Sequence, residues 1–515
     1  MNEKDITYST ANNRSFKDYL FHSRYNRVIL WMVLAGIVIQ FLVFKYFYPY
    51  PNFLHEDSFT YLGIAQYNPG IASQPVGYGR FLRLFSVLTN SDTALIAFQY
   101  LLIQGSALFM LFTLFFFYGL AKWGQITLLV FMVLNPLFLY LANLVSSDGL
   151  SLALSLAWFA LLQWILHRPN RQVIIWHTLV LFFAFVVHYS ALVYPIISIL
   201  AFLLSRQPLI KKLTGIGAAL LLCGLFILYT GDKYKKLTGS WQYAPLSGWL
   251  IANNAVRTYR YVDSAARKPV PVRFKSLDNM IRMYFDSSRP SKSDAPMDLT
   301  MFMYPPDLFL TTYRDLRFKK DTVSSALKKW AILAPLYADY GAYIIRQYPD
   351  LYIRHVLWPG MGRYYAPPVA SLTTYNAGTD SITPIAKTWF GYKGDKLQTR
   401  TKDMRIRMLD AYPIFSGVVN AMMFCCLLCF GALGGFKMNR GFRDAVISTA
   451  VLWLLNAGLT IFATWAVLRF QPFTIMISTV LTLFLAERIW RIGLNEKRQN
   501  ERPAISELLI SSEVS

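Results

Sequence analysis

The apolar residues of this chain are clumped. Runs such as 28 to 44 and 125 to 145 approach or reach the roughly 20 residues a helix needs to cross ~30 Å of hydrocarbon. Several such runs exclude a single anchor. With 55% hydrophobic and only 15% charged residues in 515 positions, a membrane is the simplest solvent for the chain. Hydropathy predicts spans near 28–48, 93–120, 125–145, 149–166, 173–188, 190–204, 213–230, 412–433, 445–467 and 471–487. The expected fold is an all-α polytopic membrane protein with about ten transmembrane helices and one large extracytoplasmic loop domain.

Orientation follows from the short loops. The basic N-terminus, Lys122, Arg168 with Arg171, Arg206 with Lys211 and Lys212, and Lys437 with Arg440 and Arg443 fall on alternate turns, joined by the Arg488 to Arg502 cluster. Both termini are then expected in the cytoplasm. This gives a cytoplasmic tail at 1–27, an N-terminal transmembrane module at 28–230 with its first outer loop at 49–92, an extracytoplasmic domain at 231–410, C-terminal transmembrane helices at 411–487 and a cytoplasmic basic tail at 488–515. The polar first 27 residues precede a full-length span without a small-residue cleavage site, the pattern of a retained signal-anchor. The 231–410 segment is itself basic, but long loops are exempt from the charge rule. Its Trp241-Gln-Tyr-Ala-Pro245 and Tyr364-Tyr-Ala-Pro-Pro368 stretches suggest a folded unit against the membrane, with helices in the interface over 325–356.

A net charge of +23 would suggest nucleic acid in a soluble protein. Here the basic residues flank apolar spans and match no nucleic-acid-binding pattern, so anionic lipid head groups or a lipid phosphate are the expected partners, with no nucleic acid. All four cysteines, Cys223, Cys425, Cys426 and Cys429, lie in apolar runs, which argues for packing over disulfides or a thiolate metal site. Glycine loops of the Walker or Rossmann type are absent from the sequence, and so is any cytoplasmic loop long enough for a nucleotide-binding domain.

The ionisable residues at span ends gather on one side of this topology. His55, Glu56 and Asp57 lie in the first outer loop and Arg80 and Arg83 close it; Asp148 follows the third span, His188 the fifth, and Arg469 precedes the last. Asp57 can cap a helix that places Tyr61, four residues on, on the same face. Spacing leaves open whether it caps only or also reacts. Pro75 and Gly77 read as a rigid turn before an interfacial helix, and Arg80 and Arg83 read either as snorkelling lipid anchors or as phosphate ligands. Asn135-Pro136 is expected to kink the third span, and Asp148 either caps the fourth or shares an acceptor or ion with Asp57. A lone His188 at a helix turn is more often structural than a ligand. Arg469 must find the interface or an anion, because a mid-membrane charge costs roughly 2.5 to 3.5 kcal/mol.

Taken in order, these segments resemble the C-type glycosyltransferase superfamily of integral membrane enzymes, which includes protein O-mannosyltransferases and aminoarabinose transferases. Asp57-Ser-Phe-Thr-Tyr61 with Ala65 is similar to its Asp-x-x-x-Tyr-x-x-x-Ala segment, and Pro75-Val-Gly-Tyr78 to the Pro-Gly-Tyr turn that follows. The stretch from Pro136 through Asp148 into Leu150-Ser-Leu-Ala-Leu is similar to its third-to-fourth-span segment. Tyr348-Pro-Asp-Leu-Tyr-Ile-Arg-His355 and Arg469-Phe-Gln-Pro472 are similar to its late outer segment and its last-span Arg-Tyr-x-x-Pro region. The departures are Phe470 in place of Tyr, the extra residue in the turn, and Glu56 preceding Asp57; they leave the subfamily open and make Glu56 a rival to Asp57. Residues 231–345 match no part of the pattern.

The resemblance implies transfer of a sugar from a polyprenyl-phosphate donor to an extracytoplasmic glycan, lipid or protein, by a single inverting displacement. Asp57 or Glu56 would be the catalytic base. Tyr61, Arg80, Arg83, Asp148, His188 and Arg469 would bind substrate, the arginines meeting the departing phosphate. No cofactor is assigned; a divalent metal on Glu56, Asp57 and Asp148 stays open, although no histidine has metal spacing. The absence of cysteine and of Asn-x-Ser/Thr sequons in the outer domain points to a bacterial inner membrane. A surface-polysaccharide polymerase or ligase and a transporter or flippase are the competing readings.

Overall fold

The computed structural model describes residues 15–54, 57–287, 303, 308–401, 403–463 and 465–512, with side chains to 493 in the last helix. Among the described residues the fold is helices joined by turns, with three isolated bridges and no strand. Eight helices are long and apolar enough to cross a membrane: Arg24–Phe47, Asp92–Tyr118, Lys122–Ala142, Ser147–His167, Leu209–Thr238, Tyr412–Ala432, Arg440–Ala463 and Pro472–Gly493. Two shorter apolar helices, Arg171–Val187 and Tyr189–Leu204, occupy the remaining stretches. The protein is an all-α, polytopic membrane protein.

Local chemistry sets the helix ends. Ser91, Ser146 and Asn170 each cap the following helix by accepting a backbone N–H, and the short turns between helices leave room for little else. The third predicted span is broken, as Lys122–Val133 and Pro136–Ala142. Pro136 cannot donate to the preceding turn, so Asn135 restarts the helix by accepting from Leu137 N at 3.1 Å. The same Asn135 Oδ1 accepts from Tyr412 Oη at 2.6 Å, tying the break to the Tyr412–Ala432 helix.

Three boundaries differ from hydropathy. Leu209–Thr238 runs past 230 because its polar end still favours helix, and it stops at Gly239, whose φ of 81° suits glycine. The predicted 190–204 span begins as a 3₁₀ turn, Tyr189–Val193, before Tyr194–Leu204. The last helix continues without a break from Pro472 to Ser512.

Burial sorts the helices. In the most apolar part of Ser147–His167, 72% of residues are buried, against 11% in Arg24–Phe47, so the former is central and the latter lies at the rim with Trp31, Ile39 and Leu42 exposed. Such apolar rims are what lipid covers. Helices Leu246–Tyr259, Lys275–Ser287, Phe309–Arg317 and Ala326–Gln347 form a second helical layer with its own core of Trp249, Tyr259, Tyr337 and Tyr340. There Leu246–Tyr259 packs on Ala326–Gln347 at Gly341, where a Cβ would stand 2.8 Å from Ala252 N. Residues 366–401 pack against the first loop. Tyr375 Oη donates to Tyr50 O at 2.7 Å, Asn376 N to Asn52 Oδ1 at 2.8 Å, and Tyr392 Oη to Asp92 Oδ2 at 2.7 Å.

Candidate functional site

Two loops are pinned side by side at one end of the bundle. Asn52 N donates to Asn143 O at 2.8 Å and Val145 N to Asn52 O at 3.1 Å, a parallel bridge that sets the approach to Asp57 against the turn that leads to Asp148. Asp57 then opens helix Asp57–Tyr67, and Asp148 lies in the first turn of Ser147–His167.

Arg469 joins the two carboxylates from the 3₁₀ turn Leu468–Phe470, between helices Arg440–Ala463 and Pro472–Ser512. Its Nη2 donates to Asp57 Oδ2, and its Nη1 stands 3.9 Å from Asp148 Oδ2. Asp57 Oδ1 accepts from Gln74 Nε2 at 2.9 Å, and Asp148 Oδ2 from Ser146 Oγ at 2.7 Å. His188 Nε2 is 3.8 Å from Asp148 Oδ1, while its Nδ1 accepts from Ser190 N at 3.1 Å. Tyr61 lies one turn beyond Asp57, bonded to Ser147 Oγ at 2.9 Å, with its ring edge-on to Tyr78 at 5.0 Å. Tyr78 Oη donates to Gln99 Oε1 at 3.0 Å.

The site is closed in. The side chains of Asp148, Arg469 and Asp57 are 4%, 11% and 18% exposed. Burial opposes the Arg469 charge, but Asp57 and then Asp148 outweigh it, and the guanidinium titrates above the ordinary arginine value. Burial lowers the His188 pKa despite the nearby Asp148, so the imidazole is neutral at pH 7 and the two do not form an ion pair there.

Of the residues predicted for the site, Asp57, Tyr61, Asp148, His188 and Arg469 are brought together. Arg80 and Arg83 lie exposed on helix Val76–Ser86, outside this cluster. Arg83 donates to Ala65 O at 3.0 Å and Gln66 O at 3.2 Å, serving the carboxyl end of helix Asp57–Tyr67. Glu56 and His55 fall outside the described residues. Gly77 is helical, not part of a turn: Pro75 precedes the helix, and Gly77 packs where a Cβ would stand 2.6 Å from Val186 O. Residue spacing did not reveal Gln74, Tyr78, Ser146 or Ser147 as partners of the cluster. Tyr78 carried a signal through the Pro75-Val-Gly-Tyr78 motif, and Gln74 as the polar residue just before Pro75.

Two small clefts lie beside the residues that hold Asp57. One is lined by Asp148, Ser151, His188, Tyr194, Asn456 and Arg469 among others. The second is lined by Gln74, Tyr189, Phe226, Tyr234 and Tyr243 around the 70–76 loop. Asp57 is held by Arg469 from the wall of the first and by Gln74 from the wall of the second. Asp57 itself lines neither cleft; its two partners do. Among the described residues, no group of three His, Cys, Asp or Glu side chains is placed to hold a metal ion. No family model, no curated protein and no solved structure matches this chain.

Proposed function

We propose that this protein is a glycosyltransferase that moves a sugar from a polyprenyl-phosphate donor to an acceptor on the extracytoplasmic side of a bacterial inner membrane. The observation that carries the reading is that Asp57 is held by Arg469 and Gln74, each of which lines a separate cleft. Two substrates must meet at one base in such a reaction. The cleft bearing Arg469 suits the donor head, and the aromatic cleft suits an acceptor whose ring or chain packs on Tyr189, Tyr234 and Tyr243. Asp57 accepts the acceptor's proton as it attacks the anomeric carbon, the sugar–phosphate bond breaks, and the configuration inverts. Arg469 orients Asp57, and Tyr61 fixes the helix that carries it.

The topology behind this reading has ten crossings, the two shorter apolar helices included, with both termini in the cytoplasm. The 231–410 segment then lies outside, on the side of Asp57. A flippase or transporter is supported less well, because its binding groups are expected near the bilayer midplane in broken helices. The test is transfer from a labelled polyprenyl-phosphate sugar by the purified protein, alongside mass spectrometry of envelope glycans and lipids from a deletion strain. A sugar missing from one glycan or lipid would identify the acceptor. No transfer and an unchanged envelope would overturn the proposal.

A further inference from the structure

A further cleft lies at the end of the bundle away from Asp57, among helices Asp92–Tyr118, Ser147–His167, Arg440–Ala463 and Pro472–Ser512. Gln163, in its wall, follows Asp148 by fifteen residues on one helix, roughly 22 Å at the helical rise. The wall is otherwise largely apolar, with Leu114, Phe159, Val446, Leu481 and Phe484 in it. Its lining runs from Phe442 to Thr449 on one helix and from Ile477 to Phe484 on another, so the cleft extends along the helices for roughly 10 Å.

Gln163 is fully buried there. Its Oε1 accepts from Tyr118 Oη at 2.7 Å, and its Nε2 has no hydrogen-bond partner among the described residues. A buried donor without an acceptor destabilises a fold, so the amide needs one from elsewhere. Water fits poorly: it requires two to four polar partners, and the hydroxyls that share the wall are engaged, Tyr118 with Gln163 and Thr449 with Ala445 O at 2.8 Å. An acyl chain with its ester carbonyl meets both conditions, hydrocarbon for the wall and an acceptor for the amide. The depth also fits. Tyr118 ends its helix and Gln163 stands one turn before the end of Ser147–His167, at the border between hydrocarbon and head groups.

The same end is cationic. Arg168, Arg440, Arg443, Arg488 and Arg491 stand at the ends of the lining helices against Asp444 and Glu487, a surplus of three formal charges. Arg488 touches the cleft's own residues: its Nη2 donates to Tyr118 O at 2.6 Å, and its guanidinium lies over the Phe442 ring at 5.2 Å. A net positive rim attracts an anionic head group, and a guanidinium matches the oxygen geometry of phosphate.

We propose that this cleft binds an anionic phospholipid. One acyl chain enters between the helices, its ester carbonyl accepts from Gln163 Nε2, and the phosphate meets Arg488. The site stands apart from the transferase reading and uses none of its residues.

The test measures binding to the delipidated full-length protein in detergent, by native mass spectrometry, of ester-linked phosphatidylglycerol, its ether-linked analogue, phosphatidylcholine with the same chains, and glycerol phosphate. Ester-linked phosphatidylglycerol is expected to bind most tightly. Gln163→Leu should weaken it by roughly five- to tenfold, the worth of one hydrogen bond, and leave the ether analogue unchanged. Arg488→Gln should weaken phosphatidylglycerol and leave phosphatidylcholine unchanged. Ala445→Leu and Val480→Phe fill the cleft from two different helices and should each abolish binding, with the lipid-free melting temperature checking that the variant is folded. A folded cleft-filling variant that binds phosphatidylglycerol like the wild type overturns the site. Equal binding of the two phospholipid heads overturns the anionic preference, and glycerol phosphate binding as tightly as the lipid overturns the acyl chain. The ester–ether comparison in the wild type needs no variant: equal affinities there overturn the carbonyl contact and leave Gln163 as a structural partner of Tyr118.

Discussion

Arg469 and Asp57, 412 positions apart in the chain, form a largely buried salt bridge that joins the last transmembrane helix to the first loop. Removing one partner leaves an uncompensated charge in a closed site, and such losses run to about 3–5 kcal/mol. Arg469→Ala strands both Asp57 and Asp148 and is expected to lower thermal stability in detergent by an amount in that range. The Arg469→Ala, Asp57→Asn double variant should lose clearly less than the two single losses combined, because the second change removes the charge stranded by the first. Simple additivity would show that the two side chains are energetically independent.

Asp57→Asn tests the base. The amide keeps the size of the side chain and an oxygen that can still accept from Gln74 Nε2, but it cannot take a proton. The transfer rate is expected to fall by roughly 10²- to 10⁴-fold while donor binding changes little, the pattern of a lost proton acceptor. A near-normal rate at normal protein levels would remove Asp57 from the mechanism and turn attention to Glu56.

His188 gives a pH dependence of predictable sign. Its folded pKa lies below the ordinary 6.5, with burial the larger cause and Asp148 opposing it. Above that pH the imidazole is neutral whether folded or unfolded. As the pH falls through it, the unfolded chain takes up the proton first, so stability declines until the folded imidazole also protonates. Melting temperatures taken from about pH 8 down to about pH 5 should therefore fall less steeply for His188→Gln than for the wild type. Parallel curves would assign the acid loss to other groups.

How much of this was legible in the sequence depends on the length scale of the cause. The apolar helices and the Asn135-Pro136 break follow from local composition, and the chain reports them directly. Asp57, Tyr61, Asp148, His188 and Arg469 could be picked out because they are polar groups at or near the ends of apolar runs. Their partners could not. Gln74 matters only because the loop returns it to Asp57, and Ser147 only because the Asn52 bridge sets two turns together. Arg83 illustrates the reverse error, since a cation beside an apparent site is spent on helix carbonyls.

Gly77 links the turn beside Asp57 to the membrane helices, and its substitution tests that link. A Cβ there would lie 2.6 Å from Val186 O and 2.8 Å from Val186 C, and backbone cannot swing aside as a side chain can. Helix Val76–Ser86 would have to move away from the end of Arg171–Val187, carrying with it Tyr78, which supports the Tyr61 ring, and Gln74, which holds Asp57. Gly77→Ala is expected to cost about 1–3 kcal/mol of stability through overpacking and to lower transfer further than the stability loss explains. Gly105→Ala is the control: it also lies within a helix, nothing stands within 4 Å of its Cβ position, and alanine there should be neutral or stabilising by about 0.5–1 kcal/mol. If Gly77→Ala matches Gly105→Ala in both stability and transfer, the close approach at Val186 does not position the site.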